Sequence, residues 1–204
     1  MLGLPRKTEI NMNIDKSVIY KRFNLDEKQT KAFDADISSI CIVNEISEIS
    51  IGISKGEKVS SIHILHIVLN KKDYNDANII RLFKLINNKM FLALQYNDEI
   101  QIVAYHTKLF KSIWQAESNA VIKLTGLNLD AVYDNLIMQI GNFELEQGNT
   151  LEEQIVTNEE KAKIQKEIAR LEKLARAEKQ PKKKFELVQM IKTLQKDSGV
   201  YNDR

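Results

Sequence analysis

The chain has 204 residues, of which 43% are hydrophobic and 28% charged. That balance supplies a real core and excludes a chain disordered throughout. No run approaches the roughly 18 apolar residues of a membrane helix; the longest, residues 62–69, is interrupted by His63 and His66. The first residues, Met1-Leu2-Gly3-Leu4-Pro5, lack the apolar stretch of a signal peptide, and the single cysteine, Cys41, cannot close an internal disulfide. Together these predict a cytoplasmic protein with no membrane association. The net charge of +2 hides an asymmetry. Residues 161–204 carry 13 Lys and Arg against 6 Asp and Glu, a net +7, and the preceding 160 carry 17 against 22, a net −5. A basic tail on an acidic remainder suggests that the tail meets something acidic: nucleic acid, a protein face, or the body itself.

In chain order, residues 15–37 read as helical, with Asn24 and Glu27 as cap and return for a helix through Ile37. Residues 39–46 are rich in β-branched side chains and predict a strand. Ile49, Ile51 and Ile53 alternate with polar or small residues, the pattern of a half-buried strand. A turn at 54–57 leads into a long strand over 59–69, central because it is apolar on both faces in its second half. Residues 75–88 predict a helix with Ile79, Phe83 and Ile86 on one stripe. Strands at 91–96 and 100–105 flank Asn97-Asp98-Glu99, a tight hairpin. A short strand at 120–124 precedes a helix at 129–141, capped by Asn128. The expected fold is α+β: a mixed sheet of about five or six strands with packed helices, over residues 1–146.

A different architecture follows. Thr150 and Glu153 form a capping box. Ile164, Ile168, Leu171 and Ala175 continue at heptad spacing. Pro181 cannot occupy a helix interior, so the first helix ends near Lys179 and a second starts around Lys182, with Leu187, Ile191 and Leu194 on its stripe. Residues 150–197 therefore predict an antiparallel helical hairpin turning at Pro181, and 198–204 a frayed tail. Its tip carries Lys179, Lys182, Lys183 and Lys184. One reading of this run is a solvated turn; a sharper one is a phosphate-contacting tip for DNA or RNA; a third is a nuclear import signal.

Catalytic motifs are missing from the pattern. His63 and His66 are three apart on a strand and face opposite ways, so they cannot share a metal, and His106 ends another strand. Asp36 and Glu45, near a helix-to-strand junction, are the candidates for a metal-dependent nuclease, but the compact acid-x-lysine spacing of restriction-type sites is lacking. The scattered glycines form neither a P-loop nor a dinucleotide fingerprint. Cys41 reads as core and Trp114 as a lid over it. No metal and no cofactor are expected.

Met1-Leu2-Gly3-Leu4-Pro5, Phe33-Asp34-Ala35-Asp36-Ile37, Ile42-Val43-Asn44-Glu45, Tyr105-His106-Thr107-Lys108 and the stretch Ala177-Glu178-Lys179-Gln180-Pro181-Lys182-Lys183-Lys184-Phe185-Glu186-Leu187 resemble the bacterial family catalogued as domain of unknown function 4391. The likeness covers the whole chain. Members are often encoded beside superfamily 2 helicases and DNA methyltransferases in restriction-like or phage-defence loci. The resemblance thus implies a non-catalytic accessory part of a DNA-targeting system, with a helicase or methyltransferase as partner, and carries over no catalytic residue. A nuclease with a non-obvious site and a self-associating homo-oligomer joined through the heptad seam are the alternatives.

Overall fold

A computed structural model describes residues 2–85 and 89–197. The chain divides into two units, residues 1–144 and 145–204.

The first unit is built on one mixed sheet. Its strands are β1 (Glu9–Asn13), β2 (Ile37–Ser47), β3 (Ser61–Leu69), β4 (Lys89–Tyr96), β5 (Glu99–Tyr105) and β6 (Leu109–Lys111), hydrogen-bonded in that order. The two-residue β7 (Gln115–Ala116) pairs with β5. Every pairing is antiparallel except β3 with β4. That parallel pair needs a crossover, and α4 (Asp76–Phe83) supplies it. Residues 59–69 were expected to form a central strand, and β3 lies between β2 and β4.

Alternation along the strands divides the core between two faces. On one, Ile40 and Ile42 of β2, Leu65, Ile67 and Leu69 of β3, and Leu92 and Leu94 of β4 pack with Ile19, Phe33, Ile79 and Leu82. Those last four come from α1 (Lys16–Arg22), α2 (Glu27–Asp36) and α4. The other face includes Ile64 and Phe91, paired in register. The Phe91 ring lies 5.4 Å from that of Tyr133 on α5 (Leu129–Gly141). The apolar stripe of α5 is buried throughout, from Leu129 to Ile140, and the expected cap Asn128 accepts from the Ala131 N–H.

Several local expectations give way to other forces. One helix over 15–37 becomes two, because Asn24 adopts a left-handed conformation at φ 47°. The cap of the second is Asp26 with Gln29, rather than Asn24 with Glu27: Asp26 accepts from the Gln29 N–H at 2.7 Å, and Gln29 accepts from the Asp26 N–H at 3.2 Å. Ile37 leaves the helix and opens β2 opposite Leu69. The alternating Ile49, Ile51 and Ile53 do not form a strand; residues 48–51 are a helical turn, α3 (Glu48–Ile51). Ser50 Oγ accepts the Ser47 N–H, and Gly52 at φ 71° ends the turn. Three alternating residues were too few to secure burial, and Ile49 is 95% exposed.

Residues 120–124 also form no strand. Ile122 donates its N–H to the Leu2 carbonyl, while the Gln139 side chain both accepts from the Lys123 N–H and donates to the Lys123 carbonyl. A glutamine amide thus takes the place of a strand partner. The helix expected over 75–88 is α4, capped by Asn75 and ending at Phe83; Ile86, the last residue of its expected stripe, lies outside the described residues. β1, β6 and β7 were not anticipated. β1 is an edge strand with every residue exposed, so it carries no burial signal. Cys41 is only half-buried.

The second unit holds α6 (Leu151–Ala177) and α7 (Pro181–Asp197), packed together as the expected hairpin. Its first helix stops at Ala177, two residues before Lys179. The second begins on Pro181 itself, whose fixed φ suits the first helical position and whose missing N–H is not needed there. The frayed tail expected over 198–204 falls outside the described residues. No helix among the described residues is long and apolar enough to cross a membrane.

Candidate functional site

The two carboxylates proposed for nuclease chemistry stand at opposite ends of β2. The eight residues of strand between them span on the order of 25–30 Å, and each carboxylate is engaged locally. Asp36 is 2% exposed. One of its oxygens accepts from the Asn75 N–H at 2.9 Å and from Asn78 Nδ2 at 2.7 Å, and the other pairs with Lys71 Nζ at 2.9 Å. Burial alone would raise this carboxyl, but these donors outweigh it and hold Asp36 below the usual carboxylate value. Asp36 thus ties the end of α2 to the start of α4. Glu45 lies beside its cross-strand partner His63, with 4.0 Å between Oε1 and Nε2. His66, on the opposite face, meets Gln95 at 2.6 Å. No cluster of three His, Cys, Asp or Glu able to hold a metal occurs among the described residues.

The residues expected to form the hairpin seam are buried to different degrees. Ile168, Leu171 and Ala175 are buried, and Ile164, Leu187, Ile191 and Leu194 are half-buried. At the tip, the Glu178 N–H closes α6 onto the Leu174 carbonyl, and the Glu178 carboxylate accepts from the Gln180 N–H at 2.8 Å. Lys179, Lys182, Lys183 and Lys184 are all exposed. Elsewhere on α6, Lys161, Arg170 and Arg176 pair with Glu146, Glu167 and Glu172. The four tip lysines have no acidic partner among the described residues. Beside them Leu174, Phe185 and Met190 are exposed at 45%, 64% and 57%. Leu174, Met190 and Lys183 border an open groove of about 710 Å³ at this end of the hairpin.

The unit boundary relocates the acidic charge. Residues 1–144 carry 17 Lys and Arg and 17 Asp and Glu, so the sheet unit is neutral rather than acidic. The excess acid is Glu146, Glu152, Glu153, Glu159 and Glu160, at and just before the start of α6. The asymmetry is therefore internal to the second unit, from an acidic base to a basic tip.

A further polar site was missed in the sequence. A cleft of about 460 Å³ opens where β3 and β4 begin and β5 ends. Lys58, Ser60, Ser61, Lys89, Tyr105 and Tyr133 are among its lining residues, with Phe83 and His106. The loop bearing Lys58 is held by Asp130, in the first turn of α5. That carboxylate accepts the N–H groups of Glu57 at 2.8 Å, Lys58 at 3.2 Å and Val59 at 2.8 Å. Gly56 makes this approach feasible, since a Cβ there would fall 2.2 Å from the carboxylate. Lys89 Nζ sits 4.7 Å from the centre of the Tyr133 ring. Residues 58, 89, 105 and 133 share no sequence motif; the one available signal was His106 at a strand end.

No curated protein and no solved structure matches the chain. The family described as "Domain of unknown function (DUF4391)" matches residues 2–197, so nearly the whole length, sheet unit and hairpin alike, belongs to that family.

Proposed function

We propose that this protein is a non-catalytic accessory subunit of a bacterial DNA-targeting defence or restriction-like system, working in the cytoplasm. Its hairpin tip docks on a helicase or DNA methyltransferase and contacts the nucleic acid that such a partner holds. The partner class follows from the resemblance stated above. The observation that supports a docking role is the tip itself: four exposed lysines without acidic partners beside exposed Leu174, Phe185 and Met190. Exposed apolar side chains among lysines, with Glu178 and Glu186 also bordering the groove, suit a contact surface for a partner and its phosphates. The separation of Asp36 from Glu45 weighs against the nuclease alternative.

Affinity capture from the native host tests this reading. Wild-type protein recovers a helicase or methyltransferase, and a variant with Lys179, Lys182, Lys183 and Lys184 all changed to Glu does not. Where the tip meets duplex DNA, each neutralised phosphate contributes a slope of about −0.9 to log K against log salt, so four lysines give at most about −3.6. Recovery of the lone protein, together with no duplex binding at low salt, sinks the proposal. The same apolar side chains suit self-association as the competing reading, and light scattering of the full chain separates the two: a dimer mass abolished by Phe185→Glu and Met190→Glu favours it.

A further inference from the structure

We propose that the cleft at the start of β3 and β4 binds a mononucleotide, in a role separate from the hairpin. Its volume, about 460 Å³, falls in the range of small-molecule sites. Two lysines line it from unrelated segments, Lys58 in the loop before β3 and Lys89 as the first residue of β4. Ser60 and Ser61 line it as well, and among the described residues no Asp or Glu does. The nearby Asp130 carboxylate is taken up by the backbone N–H groups of Glu57, Lys58 and Val59, so an anion between the two lysines gains their attraction. Lysine is a common point-charge partner of phosphate.

The Lys58 backbone and the Lys89 side chain are constrained before any ligand arrives. The backbone around Lys58 hangs from Asp130 through three N–H donors, and Lys89 rests over the Tyr133 ring. Little ordering is then left for the ligand to impose. A bare phosphate accounts for only half of the lining. Phe83 and Tyr105 are half-buried, their rings 5.8 Å apart, and both border the cleft. An aromatic wall next to a cationic corner matches a ligand with a flat ring tethered to a phosphate. A base stacks on such a ring whatever its identity.

The test is equilibrium dialysis of the full chain with the four ribonucleoside 5′-monophosphates, with inorganic phosphate and adenosine as half-ligands. At least one monophosphate should bind about tenfold more tightly than either half-ligand. Changing Lys58 and Lys89 together to Gln should weaken that binding about tenfold or more, and Lys89→Arg, which keeps the cation, should retain it. Replacing Lys182, Lys183 and Lys184 by Gln should leave it unchanged, which separates this site from the hairpin. A rise in wild-type Tm with the monophosphate, absent when Lys58 and Lys89 are Gln, provides a second readout. The proposal is overturned if no monophosphate binds, if phosphate alone binds as tightly, if the Lys58 and Lys89 changes have no effect, or if a single-stranded oligonucleotide binds far more tightly than any monophosphate.

Discussion

Replacing Asp36 by Ala should destabilise the sheet unit by about 3–4 kcal/mol without revealing any lost chemistry. The estimate follows from its three donors. Asn75 N–H and Asn78 Nδ2 each lose a charged acceptor, and Asn78 is 1% exposed with only a long 3.4 Å contact to the Ala32 carbonyl in reserve. An orphaned buried donor costs about 1–3 kcal/mol. Lys71 is half-exposed and returns to water, so its share is small. At about 2–4 °C per kcal/mol for a chain of this size, Tm should fall by about 10 °C. Asp36→Asn keeps one acceptor oxygen and should lose less. The pH dependence has a definite sign. Asp36 titrates below its ordinary value when folded, so its stabilisation is present above about pH 3.9, the unfolded value, and is lost as pH falls through the folded one. Asp36→Asn should therefore flatten the acid limb of the stability curve below about pH 3.9. Urea titrations across that range, alongside thermal melts, provide the measurement. A loss under about 1 kcal/mol for Asp36→Ala, or an unchanged acid limb for Asp36→Asn, would refute the structural role assigned to this carboxylate.

Leu171→Ala removes a buried seam residue from the hairpin and should cost that unit about 2–4 kcal/mol, read as faster amide exchange in α6 and α7, whereas exposed Lys173→Ala should change little. Gly56→Ala would thrust a methyl into the Asp130 carboxylate and should cost about 1–3 kcal/mol, with lost exchange protection at Lys58 and Val59. Combining it with Asp130→Ala should be markedly less than additive, because both changes break the same contact; full additivity would show that the two residues act separately.

Local chemistry was legible where one side chain or one spacing decides the outcome. The Asn128 cap, the Thr150 and Glu153 box, the stop imposed by Pro181 and the seam from Ile164 to Leu194 all rest on interactions within a few turns of chain, or between helices joined by a short turn. The first unit resisted where contacts distant in sequence compete with local preference. The alternation at Ile49 promised a strand that no partner strand took up, and the backbone at Lys123 found a glutamine sixteen residues on. Charge read from sequence misplaced the acid, because the boundary that assigns it is a matter of packing.

The sequence by itself determined the α+β class, the hairpin and its basic tip, since periodicity, caps and a proline act locally. Only the tertiary structure decided the strand order, parted Asp36 from Glu45 along β2, and joined Lys58 to Lys89 in one cleft. The physical reason is the same in each case. A strand keeps its own residues about 3.3 Å apart along its length, while pairing it with a parallel neighbour through a crossover helix sets residues 27 positions apart, such as Ile62 and Lys89, side by side.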